Sequence, residues 1–132
     1  MDFILIKMKQ YFALRKAGEE HFDNGNLAEA EKLFRAALQE AEDLGADIYC
    51  LGMALNDLAT LLYLQRRKAE ADPLYRRAIS VLENQEPIQK NPSAWGDLFP
   101  TVLSNYRRLL ESDGRVKEAR EIREREDHMR AR

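Results

Sequence analysis

The sequence predicts an all-α protein of about six helices, paired into three helix-turn-helix hairpins that stack on one another, and three observations carry that prediction. Ala, Glu, Lys, Leu and Arg supply 69 of the 132 residues, the composition of long helices. Val, Ile and Thr together number 11 and Gly plus Pro 10, so strand formers and the residues of tight hairpin turns are both scarce. The third observation is an internal repeat. Leu27-Ala28-Glu29-Ala30-Glu31-Lys32-Leu33-Phe34-Arg35-Ala36-Ala37-Leu38 aligns with Lys68-Ala69-Glu70-Ala71-Asp72-Pro73-Leu74-Tyr75-Arg76-Arg77-Ala78-Ile79, and Val116-Lys117-Glu118-Ala119-Arg120-Glu121-Ile122 is a weaker third copy. Ala30 and Ala71 are 41 residues apart and Ala71 and Ala119 are 48 apart, the extra length falling in a Pro-containing segment between Glu86 and Pro92.

The elements follow in order. The first hairpin pairs a helix over 3–23 with one over 27–43: Leu14, Ala17, Gly18, His21 and Phe22 fall at helical spacing, and Asp23-Asn24-Gly25-Asn26 stops the first helix with residues that tolerate left-handed geometry. The second pairs 47–65 with 68–85, on a broad apolar face of Leu51, Ala54, Leu55, Leu58, Ala59, Leu61 and Leu62. Its breaker, Gln65-Arg66-Arg67-Lys68, contains neither Gly nor Asn, and only the repeat alignment places a turn at Arg66. In the third, 94–112 pairs with 115–130, with Val102, Leu103, Tyr106, Leu109 and Leu110 leading into the stop Ser112-Asp113-Gly114. Pro73 is expected in the first turn of its helix, where the missing N–H costs little. Pro100 either kinks a helix that begins at Ser93 or sits near the start of one that begins around Phe99. The whole of 1–132 reads as a single domain with a linker at 86–93.

Charge and composition exclude several function classes. With 23 acids, 21 bases and a net charge of −2, the chain has no global cationic field to attract nucleic acid. Its one cysteine, Cys50, lies in an apolar stretch and reads as a buried structural thiol suited to a reducing compartment. Phe3-Ile4-Leu5-Ile6 is too short an apolar run for a signal peptide or membrane span, so a cytoplasmic protein without membrane association is expected. His21 falls at a packed position and His128 in a charged tail. The sequence carries no His-Glu-x-x-His, paired cysteines, Gly-rich phosphate loop or Gly-x-Ser-x-Gly, so no enzyme, cofactor or metal is expected.

The repeat units resemble the tetratricopeptide repeats, in particular the long-helix variety of kinesin light chains. Leu55-Asn56-Asp57-Leu58-Ala59 is similar to that family's L-N-N-L-A, and Glu70-Ala71-Asp72-Pro73-Leu74-Tyr75-Arg76-Arg77-Ala78-Ile79 to its E-A-E-P-L-Y-R-R-A-L. The first unit adds Gly18, Gly25, Ala30, Phe34 and Ala37 at the family's spacings; the third departs, with Arg107, Arg123 and Glu126 where small, aromatic and small residues are expected. Physical logic agrees with the likeness. Small residues at Gly18, Ala30, Ala59, Ala71 and Ala119 let paired helices approach, while Phe34 and Tyr75 fill the gap to the next hairpin. No hairpin can bury its apolar face alone, and stacking three gives a right-handed α-solenoid whose groove is lined by the first helix of each pair.

The resemblance implies a non-catalytic protein-interaction module that takes a peptide or helix of a partner protein in this groove. Its exposed face would comprise Arg15, Glu19, Asn56, Thr60, Tyr63, Ser104, Asn105 and Arg108. Asn56 and Asn105 are the sharpest candidates, because an asparagine amide can bond both the N–H and the C=O of an extended peptide; the competing reading is a hydrogen bond to a neighbouring helix. Tyr63 stands one residue from the family's usual tyrosine, where Leu62 is, and either turns its ring to the groove or packs at the periphery. Some relatives hold chaperone C-terminal carboxylates with Lys, Arg and Asn side chains. Arg15 and Arg108 would suit that role, but Glu19 and Asp57 would repel the carboxylate.

Two further features invite other readings. Between Glu19 and Asp47 nine acids face two bases, whereas Arg66 to Arg77 holds five bases against two acids, an asymmetry that either steers a basic partner or is a solvated face. Phe3, Ile4, Leu5, Ile6 and Met8 supply more apolar surface than a terminal hairpin needs, which points to a homo-oligomer formed through the N-terminal helix, or to a partner bound there, unless the segment folds back on its own core. A structural assembly subunit and a small chaperone for a client protein are the alternatives to groove binding.

Overall fold

The computed structural model describes residues 2–45, 48–83 and 98–130, and among these it contains six helices and no strand. They are α1 (Phe3–Asp23), α2 (Leu27–Leu44), α3 (Ile48–Leu64), α4 (Lys68–Glu83), α5 (Leu98–Ser112) and α6 (Val116–Arg130). Successive helices pair as α1 with α2, α3 with α4 and α5 with α6; α2 then packs on α3 and α4 on α5, so the hairpins form one solenoid. The linker expected at 86–93 lies outside the described residues.

The three hairpin turns share one backbone solution. Gly25, Arg66 and Gly114, at equivalent repeat positions, take left-handed φ values of 81°, 65° and 73°. Each turn closes with the same two bonds: Asn26 N–H donates to the His21 carbonyl and Gly25 to Phe22, Arg67 to Leu62 and Arg66 to Tyr63, Arg115 to Leu110 and Gly114 to Glu111. This is the C-terminal cap in which a left-handed residue lets the next N–H reach back a full turn and a half. The turn at Arg66, invisible in local composition, therefore exists and is made by a residue whose Cβ opposes it. At the start of the chain, the Asp2 side chain accepts from the N–H groups of Ile4 and Leu5 and caps α1.

One of the two prolines corrects the sequence expectation. Pro73 is the sixth residue of α4, not part of its first turn, so it removes an interior N–H bond toward Ala69. Ala69 and Pro73 are both exposed, which leaves the orphaned carbonyl to water. Pro100 is the third residue of α5 as described, Leu98–Ser112, and the alternative start at Ser93 lies outside the described residues.

Packing explains why small and aromatic residues alternate along the repeat. A Cβ on Gly18 would meet the Phe34 ring at 2.6 Å, and one on Gly52 would meet Leu82 at 2.7 Å, so each glycine admits a large side chain of the paired helix. Tyr75 is fully buried between the second and third hairpins, its ring 5.9 Å from that of Tyr106 and its hydroxyl 2.8 Å from that of Thr60. One apolar cluster runs from Ala30 and Phe34 through the second hairpin to Ala119 and Ile122 in the third; another, holding Tyr11, Ala37, Ala41, Leu44 and Cys50, joins the first hairpin to α3.

The departures of the third unit prove to be matched. Arg107 and Glu126 replace a small pair at facing positions, and they form an ion pair at 2.6 Å with Glu126 only 4% exposed. Charge and hydrogen bonding fill the space that close helix approach fills in the other two hairpins. Arg123, at the place of Phe34 and Tyr75, has an exposed side chain 3.6 Å from Glu111.

Outer-helix charges repeat as well. Glu31 pairs with Arg67 at 2.6 Å and Asp72 with Arg115 at 2.8 Å; Glu42 pairs with Arg77 at 2.8 Å and Glu83 with Arg125. The acid always lies on the preceding hairpin and the base on the following one. Two of the nine acids between Glu19 and Asp47, Glu31 and Glu42, are thus paired with bases of the second hairpin.

Replacing Arg66 by Gly should stabilise the fold by about 1 kcal/mol, because the left-handed cap would no longer carry a side chain. Urea denaturation followed by circular dichroism measures this. An Arg66→Gly midpoint at or below that of the parent would show that the cap carries no strain.

Candidate functional site

The first helices of the hairpins, α1, α3 and α5, face one side of the stack, and polar contacts link each to the next. Arg15 on α1 donates through Nε to Asp57 Oδ2 on α3 at 2.7 Å, and Asn105 on α5 donates through Nδ2 to Asn56 Oδ1 on α3 at 3.1 Å. Between these links opens a groove of about 330 Å³. Its lining is Glu19, Phe22 and Asp23 from α1, Phe34 from α2, Asn56, Asp57, Thr60 and Leu61 from α3, and Asn105 from α5.

Local sequence explains this convergence. Glu19, Phe22 and Asp23 are spaced by three and four residues, so they share one face of α1. On α3, Asn56, Thr60 and Tyr63 follow the same spacing, with Asp57 and Leu61 one residue round the helix. Phe34 arrives from the outer layer because Gly18 has no side chain to hold its ring back.

The asparagine pair takes the competing reading of the sequence, a bond to a neighbouring helix, and still leaves chemistry available. Their mutual bond uses one amide hydrogen and one carbonyl, and among the described residues neither side chain makes another. One NH2 and one C=O therefore remain on the groove wall, the complement of a peptide group. Asn56 is 8% exposed, so its free group is directed by the packing around it rather than by solvent.

Electrostatically the groove is acidic. Arg15 Nη2 also contacts Glu19 Oε1 at 3.0 Å, so one guanidinium serves both Asp57 and Glu19. Asp23 makes no ion pair among the described residues. Burial pushes the Asp57 carboxyl from 3.8 up to about 6, against the hydrogen bond and charge of Arg15 and with a smaller push from Glu19. Among the described residues no three His, Cys, Asp or Glu side chains are placed to hold a metal ion, and no helix is long and apolar enough to cross a membrane.

Of the eight positions anticipated for the groove, Glu19, Asn56, Thr60 and Asn105 line it, and Arg15 ties two of its carboxylates. Tyr63 packs half-buried against the main core, while Ser104 is half-buried and Arg108 exposed, outside the lining. Phe22, Asp23, Phe34 and Leu61 were not anticipated. Asp23 stands one helical turn after Glu19 and could have been found by extending the inner face; Phe34 could not, since it comes from an outer helix. At the N-terminus Phe3, Ile4, Leu5 and Ile6 are 66%, 52%, 50% and 39% exposed. They do not fold back on the core, whereas Met8 packs against the cluster around Tyr11.

Because the fold raises the Asp57 pKa, folded chains bind a proton that unfolded chains have already lost between pH 3.8 and about 6. The Asp57 contribution thus favours folding at low pH and is lost as pH rises through about 6. A carbon-detected NMR titration of the Asp57 carboxyl should show a midpoint near 6 that moves higher in Arg15→Gln. A midpoint in the ordinary carboxylate range would mean that the groove wall is open to water.

The sequence profile of the tetratricopeptide repeat family matches residues 12–84, more than half of the chain. No curated protein matches it. The matched region spans the first two hairpins, and the third, α5 with α6, continues the same packing and the same turn geometry beyond it. By sequence and by architecture, the chain belongs to the tetratricopeptide repeat family, whose members are in general protein–protein interaction modules.

Proposed function

We propose that this chain is a non-catalytic interaction module that holds an extended segment of a partner protein in the groove between α1, α3 and α5. The observation that carries the reading is the Asn56–Asn105 pair, which leaves one amide donor and one carbonyl acceptor on the wall of a 330 Å³ groove. An extended main chain has unpaired N–H and C=O groups at a spacing that such a pair meets, whatever its side chains. The cross-links favour the same use. Arg15–Asp57 and Asn56–Asn105 fix the three inner helices before any partner arrives, so little ordering cost falls on binding.

Selection of phage-displayed random peptides on the immobilised chain tests this. Selected peptides should lose about tenfold or more in affinity when Asn56 and Asn105 are both replaced by Ala, with the helical circular dichroism signal preserved. Replacing both at once leaves neither amide facing a lost partner. Affinity unchanged in the double variant would remove the groove from the account.

The bare first turn of α1 favours a second reading, self-association through the N-terminal helix. Four consecutive exposed apolar residues, Phe3 to Ile6, are costly in water unless covered. Sedimentation should then show a dimer that dissociates on dilution, and Ile4→Glu with Leu5→Glu should leave only monomer. A parent chain that sediments as a monomer at high concentration would end this reading.

A further inference from the structure

The distribution of unmatched charge says more about the groove's occupant than its shape does. On the outer helices, acids of the first hairpin are answered by bases of the second: Glu31 by Arg67 and Glu42 by Arg77. Inside the groove this matching fails. Glu19 and Asp57 share the single guanidinium of Arg15 and Asp23 has no ion pair among the described residues, so two negative charges are left without a cation where a partner would lie. A concave site with low-dielectric walls concentrates the field of such charges.

The walls restrict which cation fits. Phe22, Phe34 and Leu61 line the same space as the carboxylates, giving an apolar slot with an acidic rim. A small hydrated ion has nothing to gain from the apolar part. A long side chain with an apolar stem and a charged head uses both, and a planar guanidinium adds stacking on aromatic faces and two-pronged bonding to carboxylates. Arg15 already shows a guanidinium held between Asp57 and Glu19 at 2.7 and 3.0 Å in this setting.

An independent feature points to the same place. Asn56, more than nine-tenths buried and lining the groove, has no hydrogen bond among the described residues beyond the one it shares with Asn105. Its remaining amide N–H groups open on the groove, where they match a ligand with main-chain-like polarity beside the slot. Main chain at Asn56 and a cationic side chain at Asp23 are what one residue of an extended peptide can supply together.

We infer that the groove selects an extended peptide segment bearing an arginine, whose side chain lies along Phe22 and whose guanidinium meets Asp23 and Glu19 while its main chain meets the Asn56–Asn105 pair. This rests on the groove reading above and adds the chemistry of the partner.

The test uses peptides selected on the full chain and synthetic copies in which a selected arginine is replaced by citrulline, which keeps the shape and removes the charge. Selected sequences should carry arginine at one recurrent position, and citrulline there should weaken binding about tenfold or more in fluorescence anisotropy. Asp23→Asn or Glu19→Gln should abolish most of that penalty, and Glu29→Gln, a control acid on the outer helix, should leave it intact. Peptides that depend on Asn56 and Asn105 yet show no basic residue would overturn the arginine assignment and leave the groove reading standing. A citrulline penalty that persists in Asp23→Asn and Glu19→Gln would overturn the arginine assignment in the same way. Selection that yields no peptide dependent on Asn56 and Asn105 would overturn both.

Discussion

The fold depends on the close approach that Gly18 allows to Phe34. With the hydrogen of Gly18 as the only obstacle, the Phe34 ring reaches across from α2 to α1, where a Cβ would stand at 2.6 Å. Buried to 5% exposure, the ring then serves two environments: it belongs to the apolar cluster that continues into the second hairpin, and its edge lines the inner groove. One contact thus closes the first hairpin, joins it to the next and builds a wall of the candidate site. Tyr75 repeats the device one unit later, where its hydroxyl meets Thr60 beneath the same groove. In the third unit the equivalent residue, Arg123, is charged and exposed, so the device is not repeated there.

Apolar contacts of this kind are permissive about sliding, and charge supplies the register. Glu31–Arg67 and Asp72–Arg115 are the same pair displaced by one repeat, as are Glu42–Arg77 and Glu83–Arg125. Most of these side chains are partly solvated, so each pair adds little stability by itself. A hairpin shifted by one helical turn would bring its acids opposite the wrong positions at two points together, and that penalty is specific. The pattern also has a direction. Asn26 and Ala36 occupy the places of Arg67 and Arg77 in the first hairpin, and the bases of α2, Lys32 and Arg35, pair within their own helix with Glu29 and Glu31.

The limits of legibility lie where one residue's role is set by a distant partner. Helices and turns could be read because Ala, aromatic and Gly positions recur at fixed offsets, and even Arg66 could be placed that way although its own chemistry argues against a left-handed turn. Arg107 and Glu126 read as losses of the pattern in the sequence, since their compensation is visible only when α5 and α6 are side by side. Pro73 departs from its expected place because the start of α4 at Lys68 leaves it in the second turn, a position tolerated through exposure rather than through local sequence. Of the groove residues implied by the resemblance, Glu19, Asn56, Thr60 and Asn105 line the 330 Å³ space and Ser104 and Arg108 stand outside its lining, while Phe34 enters it from the outer layer, where an inner-face pattern does not reach.

Negative charge inside the groove has a structural cost that bears on its meaning. Asp57 is buried enough for its carboxyl to be pushed up to about 6, even with Arg15 bonded to it. For stability alone, an amide at this position would serve the link between α1 and α3 without a desolvated charge, and the neighbouring Asn56 shows that such a link can be built from amides. Glu19 beside it adds repulsion, and Asp23 adds a third carboxylate that no cation among the described residues answers. Two of the acids on the outer helix of the first hairpin, Glu31 and Glu42, find bases on the second, whereas the three carboxylates where the inner helices meet have only Arg15 beside them. The arrangement is unfavourable for the isolated chain and becomes favourable once a cation enters the groove, which is the energetic form expected of a site whose occupant comes from another molecule.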